Sequence, residues 1–174
     1  THLKIKANHN DIITIIIPRH IDRVQNIVQS CKKLKLNYQI LTNYELIKEG
    51  KEIVIINSYG TTLNYLEPCK SVFIGKSMIE RLKQVGGQNP IEAAKLKCKI
   101  YHGPYVYNFE EIYDLFKRYK ISEKINNEEE LSSKIIRDLS EANEISNEKI
   151  ENINNLGKKI LNDTFNELQQ IINK

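Results

Sequence analysis

Apolar residues in this chain fall into two kinds of run. The first is short, continuous and rich in β-branched residues: Ile12-Ile13-Thr14-Ile15-Ile16-Ile17 before Pro18, Tyr38–Thr42, Ile53-Val54-Ile55-Ile56, Ser71–Gly75 and Lys99-Ile100-Tyr101. Runs of this length predict strands, and the all-apolar ones predict strands buried on both faces, as in a parallel sheet. The second kind recurs at helical spacing. Val24, Ile27, Val28, Cys31 and Leu34 make one stripe in a helix opened by Asp22. Ile112, Leu115 and Phe116 make another, behind Asn108 as cap and with Glu110 and Glu111 in the first turn. Thr1–Ala7 predicts the end of a helix and Thr61–Leu66 a short one before Pro68. Further on, Ile121–Asn127 predicts an edge strand and a turn, and Glu128–Glu144 and Asn147–Lys174 predict helices. The last carries a stripe through Ile150, Ile153, Leu156, Ile160, Leu161, Phe165, Leu168 and Ile172.

Strands alternating with helices across short connections predict βαβ units, hence an α/β fold with a Rossmann-like, doubly wound parallel sheet. Residues 1–140 are expected to form that domain, with 141–174 as closing helices packed on it. Such sheets bind ligands outside the carboxyl ends of their strands. Three segments qualify: Pro18-Arg19-His20 after the first strand, Ser58-Tyr59-Gly60-Thr61 after the third, and Gly86–Glu92 after the fourth.

The last of these has its own local signature. Gly86-Gly87 allows positive φ and a close backbone approach. Asn89 is a favoured N-cap, Pro90 suits the first helical position, and Glu92 stands at capping-box spacing from Asn89. Ala93-Ala94-Lys95-Leu96 then propagates a helix, to about Lys97. A glycine loop feeding a helix N-terminus presents free N–H groups to an anion. A well-made helix start with no ligand is the plain alternative.

Composition narrows the classes. The 174 residues suffice for one domain with a sizeable core. The formal charge of +4 is mild, and no Lys/Arg block or aromatic platform appears, which argues against nucleic acid. Three dispersed cysteines, Cys31, Cys69 and Cys98, have no metal spacing and fit buried thiols in a reducing compartment. No metal and no cofactor is implied. No apolar run approaches the roughly 18 residues of a membrane span. The chain starts at Thr inside a predicted helix, which reads as a domain cut from a longer protein.

These motifs in this order resemble the C-terminal half of the 3-deoxy-D-manno-octulosonic acid (Kdo) transferases, two-domain glycosyltransferases of the GT-B fold. The resemblance rests on Ile16-Ile17-Pro18-Arg19-His20, Tyr59-Gly60-Thr61-Thr62-Leu63, Val72–Ser77, Gly86–Ala94, His102-Gly103-Pro104 and Asn108-Phe109, and continues into the tail at Leu156-Gly157 and Asn166-Glu167-Leu168. It implies transfer of Kdo from its CMP-activated form to a lipid A precursor at the cytoplasmic face of the bacterial inner membrane, a peripheral contact with the membrane surface, and no nucleic acid partner.

By position, Pro18 and Arg19 resemble the first CMP contact, Tyr59, Gly60 and Thr61 the second, and Asn89, Pro90, Ile91 and Glu92 the third. Arg19 would offset phosphate charge and Glu92 would accept from ribose hydroxyls. The resemblance assigns the general base and the acceptor surface to the N-terminal half, so no catalytic residue is expected in this chain. The sequence departs from the pattern at Thr61, Lys76 and Gln88, where relatives carry Glu, Gly and His, and its loop Met78–Val85 is longer.

Plainer readings stand beside these. Arg19 can pair with Asp22, Glu92 can complete its capping box, and His20 and His102 can be packing or turn histidines. A GT-B domain for a UDP- or GDP-sugar, or a catalytically inactive fragment or binding module, remain as alternatives.

Overall fold

A computed structural model describes residues 1–42, 45–141 and 145–155, with Lys158, Asn166 and Gln169. The elements run in order: α1 (His2–Lys6), β1 (Thr14–Ile16), α2 (Val24–Lys33), β2 (Tyr38–Leu41), β3 (Ile53–Ile56), α3 (Thr62–Leu66), β4 (Ser71–Ile74), α4 (Ile91–Lys95), β5 (Lys99–His102), α5 (Glu110–Arg118), β6 (Ser122–Lys124) and α6 (Glu128–Ser140). Residues 147–155 are also helical. Every strand pair is parallel, as the alternation of elements predicts. Among the described residues the hydrogen bonds fall into two sets of three strands, ordered β1-β3-β2 and β4-β5-β6, in place of one continuous ladder.

Position in the sheet decides which apolar runs are buried. β3 is buried throughout because it is flanked on both sides, with Ile53 opposite both Thr14 and Tyr38. β1 lies in a run nearly as apolar but stands at an edge. It is only half-buried, Ile13 before it is exposed, and the expectation of a strand buried on both faces fails there. The α2 stripe buries Val24, Val28 and Cys31 against Ile53 and Ile55, with Ile27 at its margin. Leu34, expected in that stripe, lies beyond the last helical turn and is exposed.

α2, α4 and α5 end in the same way. The amides of Leu36, Cys98 and Ile121 donate to the carbonyls of Cys31, Ala93 and Phe116, and those of Lys35, Lys97 and Lys120 donate to Lys32, Ala94 and Lys117. These are Schellman closures with a lysine in the left-handed region usually held by glycine, at φ 55°, 60° and 58°. Each closure delivers the chain directly to the next strand or strand-flanking segment.

The two sheets share α3, whose Tyr65 packs with Leu41, Val54 and Ile56 while Leu66 joins the core of Ile74, Ala93, Ala94, Cys98, Ile100 and Phe116. Ile145, before the predicted last helix, and Ile150 and Ile153 within it also pack on that second core. The remainder of their stripe, Leu156 to Ile172, lies outside the described residues. α6 opens with the best-formed cap: Asn127 accepts from the Glu130 amide at 2.8 Å, while Glu130 accepts from the Asn126 amide at 3.0 Å.

Candidate functional site

The segments after β1 and β3 meet. The Tyr59 hydroxyl lies 3.5 Å from the Ile21 amide, a long hydrogen bond that ties the third strand's end to the Pro18-Arg19-His20 segment. Gly60 turns the chain at φ +78°, with nothing within 4 Å of where a Cβ would sit. Ser58 and Thr61 bridge that turn through their hydroxyls at 2.9 Å. Arg19, His20, Tyr59 and Gly60 are exposed, and Pro18 and Thr61 half-buried. Among the described residues Arg19 has no ion pair, so the expected alternative with Asp22 is not formed and its guanidinium is free for a ligand.

The segment before α4 is held far more tightly. Gly86 is required by packing: a Cβ there would lie 2.5 Å from the Tyr105 carbonyl oxygen and 3.0 Å from that of Leu82. Gly87 takes φ +82°, and its amide donates to the Lys76 carbonyl at 3.4 Å. The close approach expected of the glycines is therefore made to this chain's own loop. The Tyr113 hydroxyl donates to the Gln88 carbonyl at 3.2 Å. Its ring lies 4.2 Å, centroid to centroid, from that of His102. His102, buried, donates from Nδ1 to the Gly103 carbonyl. Burial lowers its pKa; the Gly103 hydrogen bond opposes this, and nearby Lys124 adds to the lowering.

Behind this loop the fully buried Ser77 ties the end of β4 to the Gly103–Tyr105 turn. Its hydroxyl donates to Ile74 and accepts from the Gly103 amide at 2.8 Å, and its carbonyl accepts from Tyr105.

Several local expectations change at this helix. Asn89 is not the N-cap residue; Pro90 is, fully buried and one position before its expected place. Asn89 nevertheless accepts from the Ile91 amide at 3.0 Å, satisfying the donor a cap would satisfy. The capping box does not form: Glu92 is exposed and, among the described residues, its carboxylate accepts no hydrogen bond. α4 has only five residues, because the Lys97 closure ends it early, so its dipole is small. Asn108, expected to cap α5, instead donates to the Val85 carbonyl and helps hold the glycine loop. Among the described residues no hydrogen bond or ion pair joins the Arg19–Tyr59 group to the Asn89–Glu92 group.

The same fold occurs in the crystal structure of the C-terminal CMP-Kdo binding domain of WaaA from Acinetobacter baumannii, with a TM-score of 0.70 at 22% identity over 79% of this chain and 72% of that one. The 3-deoxy-D-manno-octulosonic acid transferase of Haemophilus influenzae is 22% identical over 172 residues, 99% of this chain. That of Rickettsia felis is 29% identical over 141 residues, 81% of this chain. The chain is a homologue of the Kdo transferases. It spans 38% and 29% of the length of these two relatives. A bifunctional glycosyltransferase/methyltransferase of Fusobacterium nucleatum is 28% identical over 68% of the chain. No protein-family model matches the chain.

In this Kdo transferase homologue the resemblance read from the sequence holds, as does the α/β fold of a GT-B C-terminal domain. Sequence reasoning gave no role to Ser77 or Tyr113. Ser77 has no local signal, and Tyr113 stands between the apolar positions of α5, yet Tyr113 holds the glycine loop and Ser77 holds the Gly103–Tyr105 turn behind it. Among the described residues no group of three His, Cys, Asp or Glu side chains could hold a metal, and no helix is long and apolar enough to cross a membrane.

Proposed function

We propose that this chain is the donor-binding part of a Kdo transferase: it holds CMP-Kdo while Kdo passes to a lipid A precursor. The observation that carries the reading is Arg19, without an ion pair among the described residues, in the segment that the Ile21–Tyr59 bond joins to the end of β3, in a homologue of these enzymes. Arg19 supplies charge to the phosphate of CMP, a bidentate match that a lysine does not make. Pro18, Tyr59, Gly60 and Thr61 form a backbone-lined rim beside it. Asn89, Pro90, Ile91 and Glu92 form the opposing contact, where the exposed Glu92 carboxylate accepts from ribose hydroxyls. With α4 so short, Arg19 and not a helix dipole is the main source of positive charge. Stabilising the departing CMP is this part's contribution to the reaction.

The acceptor, the general base and the contact with the inner-membrane surface belong, on this reading, to the other half of the enzyme. Calorimetric titration of the chain with CMP, UDP and GDP tests the proposal. Preferential CMP binding, lost in Arg19→Ala, is expected. Preference for UDP or GDP, or no binding of CMP by the folded chain, overturns it.

A further inference from the structure

A cavity of about 690 Å³, lined by none of the candidate donor-site residues, runs along β6, the terminal strand of the second sheet. Its wall is assembled from the start of β5, the end of α5, β6 and α6. Seven cationic side chains and three carboxylates line it, an excess of four positive charges that equals the formal charge of the whole chain. The mild basicity read from composition is therefore concentrated in one concave place.

The carboxylates there are already committed. Glu123 accepts from Lys99 and Lys134 at 2.7 Å each and from Arg137 at 3.3 Å. Burial works against its charge, but the hydrogen bonds from Lys134 and Lys99 outweigh this and pull its pKa down to about 2. Asp138 is turned inward, accepting from the Tyr101 hydroxyl, from Ser71 and from Arg137. Lys117, Lys120 and Lys124 line the same cavity with no carboxylate partner among the described residues. Ammonium groups gathered in a concavity without counter-charge raise its potential and attract anions. Ile145 is the one apolar side chain in the wall, and no aromatic ring lines it, so nothing there would stack on a base.

We infer that this cavity is a binding site for a small phosphate-bearing ligand, recognised through Lys117, Lys120 and Lys124 by its anionic groups alone. Lysine suits this task as a mobile point charge with three donors, adaptable to tetrahedral phosphate oxygens. The Glu123 network beneath keeps Lys99, Lys134 and Arg137 in place, so the wall keeps its shape when the ligand is absent. The phosphates can come from a soluble compound or from a lipid headgroup, and the test separates the two.

Calorimetry of the 174-residue chain with inorganic pyrophosphate at low salt is expected to show saturable binding that weakens as salt rises. The triple variant K117Q/K120Q/K124Q is expected to lose about tenfold or more in affinity while keeping the wild-type urea midpoint. In parallel, the chain is sedimented with phosphatidylcholine vesicles with and without phosphatidylglycerol. Pyrophosphate binding alone assigns a soluble phosphate; vesicle binding that needs phosphatidylglycerol and disappears in the triple variant assigns a headgroup. The inference is overturned if neither probe saturates up to about 10 mM phosphate, or if the triple variant binds both as the wild type does. Preference for a single-stranded oligonucleotide over pyrophosphate, lost in the triple variant, also overturns it.

Discussion

The carboxyl ends of the two sheets are built on different principles. At the first sheet, Pro18-Arg19 and Tyr59-Gly60 are exposed and joined by one long hydrogen bond from Ile21 to the Tyr59 hydroxyl. At the second, the glycine loop is clamped by backbone contact with Tyr105 and by bonds from Tyr113, Asn108 and its own Gly87 amide. The loose end carries Arg19, without an ion pair among the described residues, and the tight end carries shape. A donor bound between them would order the first end against a floor already formed, so the ordering cost of binding falls mainly on the Arg19–Tyr59 side.

The sharpest way to break this contrast is to place the same methyl group at each end. Gly86→Ala drives a Cβ into two backbone oxygens and should lose about 3 kcal/mol of stability by urea denaturation. Gly60→Ala meets no atom and should lose about 1 kcal/mol, from its positive φ alone. Equal losses would mean that the tight end is no tighter than the loose one.

Next in size, Arg19→Ala should weaken CMP binding about tenfold with an unchanged urea midpoint, because the side chain is exposed and, among the described residues, has no ion pair. A stability loss as large as the binding loss would show that Arg19 is structural.

Asn89→Ala frees the Ile91 amide and should cost about 1 kcal/mol of stability along with some CMP affinity. A neutral result would remove Asn89 from both roles.

The smallest effect concerns pH. His102 has a folded-state pKa below its unfolded value of 6.5, chiefly through burial. The unfolded chain then binds the proton first, so stability is full above pH 6.5 and declines as pH falls below it. His102→Gln should remove that part of the slope in denaturation midpoints taken from pH 7.5 to 5.5; an unchanged slope would assign it to other groups.

Much of the element order was legible because its signals are local. β-Branched runs marked five strands, and the stripe from Val24 to Cys31 marked α2, since backbone preference and side-chain period act over a few residues. Boundaries moved where the ending was not visible in residue type. Three helices close on left-handed lysines, which no composition rule flags as stops. The candidate residues were located as segments, but their partners were not. Asn108 reads as a cap in sequence and serves the glycine loop in space. Ser77 stands in sequence within the Val72–Ser77 motif and in space ties the end of β4 to the Gly103–Tyr105 turn.

By itself, then, the sequence determined the alternation of strands and helices, the parallel α/β class, the kinship with Kdo transferases, and which short segments follow the strands. Tertiary structure alone decided that β3 and not β1, in a run nearly as apolar, is central. It also decided that Gly86 answers to the Tyr105 carbonyl, and that lysines from α5 and β6 share a cavity. The division has a physical cause. Conformational preference is a property of a few neighbouring residues, whereas burial, close approach and summed charge depend on segments far apart in the chain.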